Sequence, residues 1–235
     1  MDDELDIQPW PVLELVGRAV ALTSVAKRGM LEVDEEDDVF SQETDRFELS
    51  TWARTELSHW ITDAELAVLN TPIGGLSEEQ LMFADVGLYA AGAVAWALRS
   101  VNHDRLPVPD DDAFNAAVME WAPTPWDMVR KLQKRVRLRS DEDLATERER
   151  MELWWWRASD DIAADDLAEV VAEVAEAGLI DVVDGDFATD GGVAFGALAE
   201  NDRDDIAWIA EQRLRALNWV CGFGESWETA PLELD

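Results

Sequence analysis

Residue types that usually carry chemistry are scarce in this chain. Cys221 is its one cysteine, which excludes an internal disulfide and suits a reducing compartment. His59 and His103 are far apart in sequence, so a zinc site would need carboxylates for most of its ligands. Glycine pairs occur only at Gly74-Gly75 and Gly191-Gly192, and neither fits a phosphate loop or a dinucleotide fingerprint. No nucleophile elbow surrounds any serine. Asp186, Asp190 and Gly191 mimic part of a calcium loop, but Ala188 and Ala197 stand where two ligands belong. The expectation is no cofactor, no metal and no catalytic residue.

Lysine is also rare, with Lys27, Lys131 and Lys134 the only three. The start, MDDELDIQPW, has no apolar h-region, which argues against secretion and for a cytoplasmic setting. No Pro-, Gly- or Ser-rich linker and no internal repeat divides the chain, so one domain is the simplest organisation.

What is abundant is acid: 52 Asp and Glu against 19 Lys and Arg, a formal charge of −33. A folded chain of this mass exposes roughly 10,600 Å², which spaces the net charges roughly 18 Å apart. Screening reaches about 8 Å at physiological salt and about 30 Å at 0.01 M, so repulsion bites in dilute buffer. Adaptation to a salty cytoplasm, a high-GC composition or a basic partner would each produce this excess. Direct binding of nucleic acid is disfavoured. The local exception is Arg130, Lys131, Lys134, Arg135, Arg137 and Arg139, read as a solvated helix face pairing with nearby acids, or as a docking patch.

Helical punctuation predominates and strand alternation is rare, predicting an all-α, single-domain bundle of about eight helices. The first runs from about Pro11 to Arg28 and stops at Gly29; the second covers about Arg46 to Ile61; a short third lies near Ala64 to Asn70. Ser77 and Gln80 form a capping box for a long, nearly uncharged helix over Gln80–Leu98. That segment is long enough for a membrane span, but its alanines and glycines, Asp85 and the lack of basic flanks favour a buried central helix. Further helices are expected over Asp110–Trp121, from Thr124-Pro125, from the Ser140 cap to about Ala158, over about Asp161–Ala177 and over about Asp202–Val220. Residues 180–195 leave room for a short hairpin. The expected core spans about 46–228, with an acidic tail at 1–9 and an acidic loop at 32–45.

Several charges fall on apolar stripes. Arg213 interrupts the Ile206, Ile209, Ala210, Leu217 and Val220 stripe, Arg148 shares a face with Leu144, Met151 and Trp155, and Asp85 lies between Leu81 and Leu88. A buried charge needs a partner, so Asp85 is expected to meet Arg213 or Arg148, as a buried ion pair or as the wall of an anion-binding cleft. Trp154-Trp155-Trp156 spans roughly 200° of its helix, so at least one ring should lie at an edge or groove. Trp154, Trp156 and Trp219 are the candidate recognition aromatics.

Three segments resemble a bacterial family catalogued as domain of unknown function 4272. They are Ala95-Trp96-Ala97-Leu98 with Leu106-Pro107-Val108-Pro109; Leu138-Arg139-Ser140 with Leu153 to Ala158; and Glu211 to Trp219 with Ser226-Trp227-Glu228. The resemblance covers roughly residues 50–230, and Arg18 to Glu32 is similar to the family's opening helix, whereas the end, Pro231 to Asp235, departs from it. It implies that Arg213 and Trp219 belong to a shared pattern; it carries no activity.

The functional expectation is a non-enzymatic protein-interaction module whose partner is a protein, basic proteins included, and neither membrane nor nucleic acid. The alternatives are an acidic inhibitor or immunity-type protein that neutralises a basic toxin or nuclease, and an enzyme with an Asp/Arg anion cleft.

Overall fold

A computed structural model describes residues 6–33, 38–159 and 162–234. Pro11 precedes α1 (Val12–Val33), where its missing amide costs nothing. Helix α1 does not stop at Gly29. A Cβ on Gly29 would lie 2.9 Å from the Cβ of Ala84, so this glycine lets two helices cross closely rather than ending one.

Helix α2 (Val39–Glu56) starts earlier than predicted, because the Asp38 carboxylate accepts from the amides of Phe40 and Ser41 and caps it. The rest of the acidic run, 34–37, lies outside the described residues, as do 1–5 of the predicted tail. Helix α3 (Asp63–Asn70) carries a Thr62/Glu65 capping box. Helix α4 (Glu78–Ala97) has the Ser77/Gln80 box that the sequence predicts, and every residue from Ala90 to Leu98 is buried.

Asp111 caps α5 (Asp112–Trp121). Thr124-Pro125 then opens a turn, not a helix, since the Thr124 hydroxyl bonds the Asp127 side chain. Only the single turn α6 (Val129–Leu132) and a 3-10 turn over Gln133–Arg135 follow, so the basic run is not the helix face expected from sequence.

Ser140 accepts from the Asp143 amide at the start of α7 (Asp141–Ser159). Helix α8 (Ala164–Ala177) ends at Gly178 in the left-handed region; its predicted start at Asp161 lies outside the described residues. The predicted hairpin exists as β1 (Val182–Val183) against β2 (Asp186–Phe187), turned by Asp184-Gly185, both at positive φ. A 3-10 turn, Phe195–Ala197, leads to α9 (Glu200–Val220).

The architecture is all-α. Helix α4 packs against both α1 and α9, and α7 packs against α9. Leu15, Val16, Trp52, Trp96, Leu144, Trp154, Ile206 and Leu217 share one core. That core does not begin near residue 46, because α1 is central to it. Nor is 6–9 a free tail: Ile7 packs inward and the Gln8 amide bonds the Cys221 carbonyl at 2.9 Å. Among the described residues no helix is long and apolar enough to cross a membrane.

Candidate functional site

The expected Asp85–arginine pair does not form. Arg213 is fully buried on α9, but its acid is Asp110, at 2.9 Å, and its other nitrogen donates to the Pro107 carbonyl. The Tyr89 ring, one turn beyond Asp85 on α4, occupies the place facing Arg213, with Phe114 nearby. Burial lowers the Arg213 pKa to about 10 and raises that of Tyr89 to about 12. Arg148 forks onto Glu152 at 3.0 and 2.9 Å and donates from Nε to Asn218 at 2.6 Å. Asp85 is exposed and has no ion-pair partner among the described residues. It lines a small hollow of about 210 Å³ with Met30, Leu81 and Leu88; desolvation, then the Asp110 and Asp205 charges, raise its pKa.

The buried arginines instead tie irregular backbone to helices. Arg18 grips Glu65 through both terminal nitrogens and donates to the Trp60 carbonyl. Arg28 donates to the carbonyls of Thr71 and Pro72 and pairs with Glu32. Arg150 donates to Leu106 beside Glu147. Arg18 and Arg28 each bind two or more acceptors, which a guanidinium does and an ammonium does poorly.

The tryptophan expectation also needs correction. Trp154 is buried edge-on against Phe187 and Phe195, and Trp219 is buried between Trp10 and Trp227. Both are core residues. Trp155 and Trp156 are half-buried at the core edge, as the angular spread requires of some member of the triplet.

The exposed apolar surface lies elsewhere. A groove of about 660 Å³ opens where α1, α3, α4 and α9 meet. Leu22, Gly87 and Ala90 form a floor of buried residues; Met82, Phe83 and Trp208 stand in the walls, 50%, 39% and 46% exposed. Helix α4 borders it from Glu79 to Ala90, which is about 16 Å of helix axis. Its rim carries Asp63, Glu79 and Glu228, all exposed and without an ion-pair partner among the described residues. The other acids there are engaged, Glu65 with Arg18 and Glu211 with Arg215. The pattern was missed in sequence because Met82, Phe83 and Trp208 each look like ordinary core positions.

The basic run resolves into two parts. Arg139 lies over the Trp96 ring and donates to the carbonyls of Trp96 and His103. Arg130, Lys131, Lys134, Arg135 and Arg137 are exposed, near exposed Trp126 and Met128, with no ion-pair partner among the described residues.

The remaining candidates have structural contacts. His59 lies 3.3 Å from Glu14, and His103 is edge-on to Phe114. Asp186 holds Arg157 and the Gly196 amide, while Asp190 accepts from the Val108 amide. Among the described residues no group of three or more His, Cys, Asp or Glu could hold a metal ion. Cys221 is buried, which raises its pKa to about 12. Compared with protein-family models, with curated proteins and with solved structures, the chain matches none.

Proposed function

We propose that this chain is a non-enzymatic interaction module whose groove receives a cationic amphipathic segment of a protein partner. The observation that carries this reading is the exposure of Met82, Phe83 and Trp208 around an apolar floor, under a rim of unpaired carboxylates. Isolated exposed apolar residues are ordinary, whereas large ones gathered over a concave surface mark a binding site. Helix-in-groove recognition needs an apolar trough of a few turns, and the α4 edge supplies about three. The rim, set in a molecule of charge −33, selects for Lys and Arg flanking the apolar anchors.

An acidic inhibitor of a basic protein is the narrower form of this reading and uses the same groove. The enzyme alternative loses its named support, since among the described residues Asp85, Arg148 and Arg213 make no ion pair or hydrogen bond with one another, and the two arginines are taken by Glu152, Asn218, Asp110 and Pro107. A cytoplasmic setting remains our reading of the single cysteine, Cys221.

Selection of a random peptide library on the immobilised protein at about 0.15 M salt tests the proposal. Enriched sequences should carry Lys or Arg around apolar residues at helical spacing. Enrichment should be lost on the Phe83→Ser, Trp208→Ala double variant. Acidic winners, or winners indifferent to those substitutions, would overturn it.

A further inference from the structure

A second cavity, about 260 Å³, lies between α7, the segment after Arg105 and the turn that follows β2, away from the groove residues. Its inner residues Arg150, Trp154 and Thr189 are 5%, 1% and 6% exposed, whereas Arg105, Asp181 and Asp190 at its mouth are exposed.

The inner side has donors without acceptors. The Trp154 indole Nε1 is buried and has no hydrogen-bond partner among the described residues. Arg150 spends one terminal nitrogen on the Leu106 carbonyl, and its buried Nε, 3.5 Å from Glu147, has no hydrogen-bond partner among the described residues. Thr189 is already committed to the Val193 carbonyl. Buried donors are rarely left empty, so this end calls for an acceptor.

The mouth has the opposite need. Asp190 gives one carboxylate oxygen to the Val108 amide and keeps the other free, and Asp181 has no side-chain partner among the described residues. Arg105 is held to the wall by the carbonyls of Gly178 and Leu179. Two arginines and two aspartates line it, and Glu147 lies 3.5 Å from the Arg150 Nε. A simple anion would enter against the charge of the whole molecule, and a simple cation would face both guanidinium groups. A ligand carrying both signs satisfies each end, and Ile180 and Leu179 offer apolar contact to a small side chain.

We propose that this cavity binds a small zwitterion of the α-amino-acid class. The carboxylate accepts from Arg150 and the Trp154 indole, and the ammonium sits between Asp181 and Asp190. The reading is independent of the groove.

The test is titration of the ¹⁵N-labelled chain with glycine, L-alanine and L-leucine, and separately with acetate and methylammonium as the two half-ligands. The Trp154 indole N–H resonance, assigned with Trp154→Phe, reports on the inner end. At least one amino acid should shift it saturably, with either half-ligand at least tenfold weaker. Asp181→Asn, a change at an exposed position, should weaken binding at least tenfold without altering the melting temperature. Acetate binding as tightly as the amino acids would make this a plain oxyanion site and overturn the proposal. Binding untouched by Asp181→Asn would overturn it too, as would no saturable shift up to about 10 mM, which would mean a cavity filled by water alone.

Discussion

At the scale of single residues, burial of charge governs this molecule. Arg213 serves as a clamp: it is fully enclosed, joins α9 to the Pro107 carbonyl and pairs with Asp110 at the entry to α5. Arg213→Lys keeps the charge but cannot serve both acceptors at the same geometry. It should cost about 2–3 kcal/mol, read from chemical denaturation. The burial of Arg213 was legible in sequence because a helical wheel needs only local spacing. Its partner was not, because Asp110 comes from an irregular segment after two prolines, whose path no periodicity encodes.

Asp85 gives a second residue-scale prediction. Its pKa is raised on folding, first by desolvation and then by Asp110 and Asp205. The unfolded chain therefore loses this proton at lower pH than the folded one, and folding stability falls as pH rises through the interval above 3.8, the ordinary value. Asp85→Asn removes that loss. Its melting temperature should exceed that of the parent near neutral pH, and the gain should vanish in acid, where both forms are neutral.

At the scale of elements, what proved legible was local and what failed was tertiary. The Ser77 and Ser140 caps were readable because a cap involves only four neighbouring residues. Ser77→Ala should cost about 1 kcal/mol, measured by thermal or urea unfolding. Gly29 looks like a terminator and is instead a crossing point, which only the position of Ala84 reveals. Gly29→Ala should destabilise by about 1–3 kcal/mol despite alanine's better helix propensity, since something must move to admit the methyl. The opposite sign would show that α1 and α4 can separate freely. Thr124-Pro125 has the composition of a helix start, yet the Asp127 side chain diverts the threonine into a turn.

At the scale of the whole molecule, 33 uncompensated negative charges bear on both stability and partner choice. The melting temperature should rise when KCl is raised from about 0.01 M to about 1 M, because the screening length falls from about 30 to about 3 Å. The same field disfavours acidic partners and favours cationic ones, and the groove is where such a partner finds apolar contact. That groove was not visible in sequence, because five separate segments build it and its exposed aromatics differ from the conspicuous Trp154 and Trp219. The most direct measurement is calorimetric titration of the protein with a synthetic Leu/Lys amphipathic helix of about three turns, beside its Leu/Glu counterpart. Only the lysine peptide should bind, more weakly at about 1 M salt and at least tenfold more weakly to Phe83→Glu. Equal binding of both peptides, or full affinity for Phe83→Glu, would contradict the proposed recognition.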